Sequence, residues 1–342
     1  MKIRFALAVV LVTASTLLSA QPNEAVRYME KVSNSIGHLK NETWGYLRAA
    51  TQGRSARTQE RRRQALIREI DDVYREIEEI GPFNGDDTYQ KEVLNYLSLT
   101  SIVMKEDFAQ IMDLEAIAEQ SYDDMEAYMM ANEIANSKMD SAFQIYKSGH
   151  EAFARQNNIN LIEGEGDSRD KAIAKASAAL SYYNEIFLIF FRANVQENYA
   201  LEALNRDDII SLEQNTQAIV SAADKGLAAL DTMERFNRDP KLINSARRLL
   251  EFYKEEGEET FPAMVDFFVK KDRFDRLNES IQSKDQRDLT QEEIDEYNAA
   301  LEEFNAMVPV FNELNEDSNE ERTERYEDWE ESVEKFFETH AE

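Results

Sequence analysis

Residues 121–156 read SYDDMEAYMMANEIANSKMDSAFQIYKSGHEAFARQ. Within them Met125, Tyr128, Asn132, Ala135, Met139, Ala142 and Tyr146 recur at steps of three and four. That spacing lines side chains along one stripe of an α-helix. The same pattern continues on both sides of the segment. The chain has only 10 Gly and 5 Pro, with abundant Ala, Glu, Leu, Lys, Gln and Met, all residues that favour helix. No stretch alternates with period two between turn signals, so no sheet is expected.

The breaks divide the chain into about eight helices. The first runs over 23–51 and ends near Gly53. The second runs over 56–80 and is stopped by Gly81-Pro82. Asp86 or Asp87 caps a third, reaching about Gln120, and Ser121 caps a fourth, reaching about Arg155. Residues 157–169 (NNINLIEGEGDSR) read as a linker. A fifth helix covers 170–205 and a sixth 207–235. Asp239-Pro240 starts a seventh over 240–281, with a kink at Pro262. TQEE (290–293) fits a capping box opening an eighth, with a bend at Pro309.

The two halves of this pattern align. A slide of 153 residues superposes Phe83-Asn84 on Phe236-Asn237, Asp86 on Asp239, Leu97 on Leu250, Glu106 on Glu259, Phe108 on Phe261 and Asp113 on Asp266. At 154, Ala25 and Tyr28 meet Ala179 and Tyr182. At 169, Tyr128, Ala131, Glu133 and Asn136 meet Tyr297, Ala300, Glu302 and Asn305. The change of offset fits an insertion near 282–292. A period this long points to duplication of a domain rather than to a short solenoid repeat. The expected architecture is all-α: two tandem four-helix units, 21–156 and 170–342, joined by the 157–169 linker. IFLIFF (186–191), apolar on all sides, is the segment expected to be buried between them.

Composition narrows the function. Sixty-eight acids oppose 39 Lys and Arg, a formal net charge of −29, so no nucleic-acid partner is expected. With no Cys there is no disulfide framework, cysteine zinc site, iron–sulfur cluster or thiol nucleophile. Residues 1–20 have the layout of a cleaved secretory signal: Lys2 and Arg4, the apolar run FALAVVLVTASTLL, then Ser19-Ala20. The expected location is the periplasm, the outer-membrane surface or the extracellular space. No later segment approaches the length of a membrane span; the most apolar, Ile186–Phe191, has six residues.

The search for chemistry returns little. There is no glycine-rich phosphate loop and no nucleophile elbow. His150-Glu151 begins like a zinc-protease helix but lacks the second His. Neither His38 nor His150 has a Glu three residues earlier, as di-iron bundles require. Both read as ordinary, partly exposed helix residues. EGEGDSRD (163–170) hints at a calcium loop, but its twelfth position is Ala174. No catalytic residue, cofactor or metal ligand is expected.

Two sets of candidate contacts remain. Arg54, Arg57, Arg61, Arg62 and Arg63, with Arg68, form the one basic cluster. It would meet an anionic polymer or lipid head group, or else compensate Asp71, Asp72 and Glu76 on the same helix. Asn136 and its mate Asn305 lie beside apolar stripes, where an amide fixes helix register or contacts a polar ligand. Trp44 is either core or a stacking wall for such a ligand.

Several strings resemble an exported surface-protein family first named from a leptospiral protein and common in other Gram-negative bacteria. They are AVRYMEKV (25–32), GRSART (53–58), GPFNGD (81–86), EDFAQIMDLEAIAEQSYDDMEAY (106–128), NINLIE (158–163), YYNEIFLIFF (182–191), EFYKEE (251–256) and FFETH (336–340). The resemblance spans nearly the whole chain beyond residue 20. It implies an all-helical surface or envelope protein and transfers no catalytic or ligand residue. Arg61–Arg63 fits the family pattern, whereas the strong acidity departs from it. The resulting expectation is a non-catalytic interaction or scaffold module with an envelope or extracellular partner. The alternative is a small-ligand or metal-binding protein with a cleft between the two units.

Overall fold

In a computed structural model the chain is described over residues 16–18, 24–52, 56–115, 122–163, 168–285 and 287–341. The fold is all-α. Its helices are α1 (Glu24–Gly37), α2 (Leu39–Thr51), α3 (Ala56–Ile80), α4 (Thr88–Ile102), α5 (Phe108–Glu115), α6 (Tyr122–Gln156), α7 (Ser168–Asn205), α8 (Ile209–Thr232), α9 (Lys241–Glu255), α10 (Phe261–Gln282) and α11 (Gln291–His340). Only His38 separates α1 from α2. Single π-helical turns, Val103–Asp107 and Glu256–Thr260, carry α4 into α5 and α9 into α10. Counted as continuous rods, the described residues make eight helices.

Local chemistry sets the ends. The Asp86 carboxylate accepts from the Thr88 amide at 2.9 Å, and that of Asp239 from the Lys241 amide at 3.0 Å. Asp208 accepts from the Ser211 amide at 3.1 Å. Thr290 and Glu293 form the expected capping box: the Glu293 amide donates to Thr290 Oγ1 at 3.3 Å, and the Thr290 amide to Glu293 Oε2 at 3.0 Å. Each such bond satisfies an otherwise orphaned donor at a helix start.

One local expectation is revised, and two proline positions are located within their helices. Pro262 follows the π turn Glu256–Thr260, which absorbs the disruption that a proline without an N–H imposes on an α-helical ladder. α11 continues through Pro309. Leu161–Glu163, inside the expected linker, pairs antiparallel with Thr16–Leu18, and a three-residue strand is too short to reveal alternation in sequence. The rest of the expected leader, Gly53, Arg54, Ser121 and residues 164–167 of the calcium-like loop lie outside the described residues.

The contacts divide the chain into two compact units: residues 1–184 with 333–342, and residues 185–332. The divisions fall inside α7 and inside α11, away from the expected linker, because these long helices each contribute to both units. In the first unit α3 packs on α1, α2 and α4, and α6 packs on α4 and α5. The stripe Met125, Tyr128, Asn132, Ala135, Met139, Ala142 and Tyr146 is buried there as expected. In the second unit α8 packs on α9 and α10. Ile186, Phe187, Phe190 and Phe191 are buried, while Leu188 and Ile189 are half-buried.

Candidate functional site

Among the described Asp, Glu, Lys and Arg residues, only Arg63, Glu197 and Glu256 are buried. The two acids meet in the second unit. α7 carries Asn194 and Glu197 one turn apart. α9 carries Tyr253, and the π turn carries Glu256. α11 carries Ser318, Arg322 and Tyr326 at steps of four, on one face. Gly257, in the π turn, leaves room for α8. A Cβ there would lie 2.6 Å from Val220 Cγ2 and 3.2 Å from the Thr216 carbonyl oxygen, so α8 approaches the turn at backbone distance.

Arg322 bridges the two acids. Its Nε donates to Glu197 Oε1 at 2.5 Å, and its Nη2 donates to Glu256 Oε1. Ser318 Oγ donates to the same Glu256 oxygen at 2.5 Å, and Tyr326 OH to Glu197 Oε2 at 3.0 Å. Asn194 Nδ2 donates to Tyr326 OH at 2.6 Å and to Tyr253 OH at 3.1 Å. Burial, then the neighbouring Glu197 charge, pushes the Glu256 carboxyl up to about 9. Burial holds the Tyr253 and Tyr326 phenols far above their ordinary value, so both remain protonated donors. A shift in this direction favours the protonated form of Glu256 beside the Arg322 guanidinium. Such a network fixes helix register: removing one member leaves an uncompensated buried charge, which costs about 3–5 kcal/mol.

A second polar site lies in the first unit. Tyr89 OH and His150 Nδ1 are 2.8 Å apart, and both side chains are buried. Burial pushes His150 down to about 4, so the ring is neutral at pH 7. This corrects the expectation of a partly exposed His150: packing of α4 on α6 buries it against Tyr89 and Tyr146, and Tyr89 supplies its hydrogen bond. His38 does remain exposed, 3.8 Å from Glu76. Beside the Tyr89–His150 pair α4 and α6 enclose an open cleft of about 560 Å³, lined by Thr88, Tyr89, Glu92, Ser148, Gly149 and Phe153 among others.

The residues singled out from sequence are dispersed. Arg57, Arg61 and Arg68 are exposed, and Arg62 lies over Gly45. Arg63 turns inward, donating to the Met104 carbonyl of the first π turn and to Glu60 Oε2 at 2.7 Å. Asn136 is half-buried in α6, with a buried Oδ1 that has no partner among the described residues; Asn305 is exposed on α11. Trp44 is half-buried, with the Arg169 guanidinium 5.7 Å from its ring centre and the Lys40–Asp170 ion pair of 2.8 Å also joining α2 to α7. Among the described residues no group of three His, Asp or Glu side chains is arranged to hold a metal ion.

Sequence reasoning missed the acid–arginine cluster, yet a signal for it exists. Phe187, Phe190, Asn194 and Glu197 follow one apolar stripe, as do Trp329, Tyr326, Arg322 and Ser318. An acid on one such stripe and a base on another are candidates to meet. In comparisons with known proteins, no family model, curated protein or solved structure matches this chain.

Proposed function

We propose that the protein is an exported, non-catalytic helical module that acts through its outer helix faces as an interaction or scaffold component of the cell envelope. One observation carries this reading. Among the described residues, the buried charged side chains and His150 have internal partners, Glu197 and Glu256 with Arg322, Arg63 with a main-chain carbonyl and His150 with Tyr89, which leaves the exposed faces for contact with other molecules. The signal-like residues 1–20 and the resemblance to the exported surface-protein family support the location. Among the described residues no helix is long and apolar enough to cross a membrane. Fractionation with protease shaving of intact cells tests export: protection inside the cytoplasm sinks it. Crosslinked pull-down from envelope extracts tests the interaction role, and repeated recovery of no protein or polymer counts against it.

The same reading takes the two halves as a duplication. Several irregular features recur 153 residues apart. They are the left-handed pairs Asn84-Gly85 and Asn237-Arg238, the carboxylates of Asp86 and Asp239 accepting from the amide two residues on, and the π turns starting at Val103 and Glu256. Amphipathic periodicity alone does not generate such coincidences.

A second reading, small-ligand binding, is favoured by the cleft of about 560 Å³ between α4 and α6, a size suited to a small molecule. A ligand held there raises thermal stability, since it binds the folded state alone. Screening metals, lipids and metabolites, with Ser148→Trp to fill the cleft, tests it. No stabilisation, or stabilisation that survives the filled cleft, rejects this site.

A further inference from the structure

We infer that Glu197, Glu256 and Arg322 form a proton-dependent clasp, in which one proton shared between the two carboxyls fastens α11 to α7 and α9, and loss of that proton opens it. This inference does not depend on where the protein acts.

Both Glu197 oxygens have donors, Arg322 Nε and Tyr326 OH. Glu256 Oε1 has two, Ser318 Oγ and Arg322 Nη2, whereas Glu256 Oε2 is buried and has no hydrogen-bond partner among the described residues. A buried acceptor without a donor is costly and calls for an explanation. Arg322 holds the two carboxyls to one guanidinium, Glu197 through Nε and Glu256 through Nη2. A proton on Glu256 Oε2 converts the orphaned acceptor into a donor toward the Glu197 carboxylate. The same proton reduces two negative charges and one positive charge to a balanced pair.

The groups facing Glu256 leave no other charge to take this role. α7 presents Glu197. α11 presents Arg322, Ser318 and Tyr326. α9 presents Tyr253, whose phenol is held neutral, and α8 meets the π turn with Thr216, Ile219 and Val220. Lys254, the nearest base in sequence, is paired outside with Asp224 at 2.7 Å. When the proton leaves, two buried carboxylates compete for one guanidinium. The clasp should then open locally around residues 318–326. Farther along α11, Asp328 bonded to Arg248 at 2.5 Å and Trp329 packed on Phe190 would still hold the helix.

The sign follows from linkage. Glu256 sits at about 9 in the folded chain, against an unfolded value of 4.5. The folded state therefore binds the extra proton between those limits. The stabilisation is complete below the unfolded value and is lost as pH rises through the folded one. One proton corresponds to at most about a tenfold fall in the folding equilibrium constant per pH unit.

The test is equilibrium denaturation of the full-length chain from pH 6 to 9.5, wild type against Glu256→Gln. The amide imitates the protonated acid and cannot titrate. The wild type should lose stability across this range by up to about tenfold per pH unit, and the variant should stay flatter by the same factor. Parallel profiles overturn the proposal. Should the variant fail to fold, infrared titration of the wild type decides. A protonated-carboxyl band present at pH 7 and lost toward pH 10 supports the clasp, and its absence at pH 7 overturns it.

Discussion

Arg238 occupies a conformation that the first unit gives to glycine. Asn84 and Gly85 have φ of 51° and 87°, and Asn237 and Arg238 have 49° and 67°. A non-glycine residue in this left-handed region costs about 1–2 kcal/mol, of which glycine's extra unfolded-state entropy returns part. Arg238 is exposed. Arg238→Gly should therefore stabilise the chain by about 0.5–1 kcal/mol in urea denaturation. A loss of stability would mean that the arginine side chain contributes more than its backbone costs. His150 supplies a second residue-scale prediction. Burial holds its ring at about 4 against an ordinary value of 6.5, so the neutral form stabilises the fold above 6.5, and that contribution is lost as pH falls through 4. His150→Gln, which cannot titrate, should show a shallower decline between pH 6.5 and 4 than wild type; equal slopes would reject the assignment. Neither residue's environment was legible in sequence. Burial of His150 depends on which face α4 covers. Arg63 in the run Arg61–Arg63 illustrates the geometry: consecutive helical residues point about 100° apart, so one of three can face the core while the string still reads as uniformly basic.

At the scale of elements, the reading was strongest where turn chemistry punctuates periodicity. Gly81-Pro82, Asp86, Asp239 and the TQEE box all mark helix ends close to where the sequence places them. The π turns were not legible, because each inserts one residue into a continuous apolar pattern and only re-aims the side chains around it. That re-aiming matters: Glu256 opens the second π turn and faces the interior, while its neighbour Glu255 is exposed. The close approach of α8 at Gly257 makes this turn sensitive to volume. Gly257→Ala places a Cβ 2.6 Å from Val220 Cγ2 and 3.2 Å from a main-chain oxygen that cannot rotate away. The expected cost is about 1–3 kcal/mol, measured by thermal or urea unfolding. If the turn relaxed to regular α-helix instead, the substitution would be neutral and Glu256 would leave its position facing Arg322, which infrared spectroscopy of the buried acid would register.

For the whole molecule, the all-α class was legible because period and composition agree along the chain. The division between the compact units was not, since it falls at 184–185 and at 332–333, inside uninterrupted helices that carry no break signal. The charge excess acts at this scale. Sixty-eight acids against 39 Lys and Arg leave a net −29, and residues 291–321 of α11 contain no Lys or Arg. Ion pairs such as Arg273–Glu303 at 3.0 Å and Lys254–Asp224 at 2.7 Å neutralise only part of the acidic surface. Exposed pairs of this kind contribute about 0–1 kcal/mol each, while unbalanced charge opposes the compact state through long-range repulsion. Salt weakens both, but the repulsion acts over the longer distances. The Debye length falls from about 10 Å at 0.1 M to about 3 Å at 1 M, which removes repulsion between neighbouring helices before it removes contact pairs. Raising NaCl or KCl from 0.1 to 1 M should therefore increase Tm by a few degrees, on the order of 1 kcal/mol, with both salts acting alike. An equal concentration of a neutral solute should not reproduce the rise. A fall in Tm with salt would mean instead that the surface ion pairs outweigh the net charge, and that the acidity is compensated within the fold.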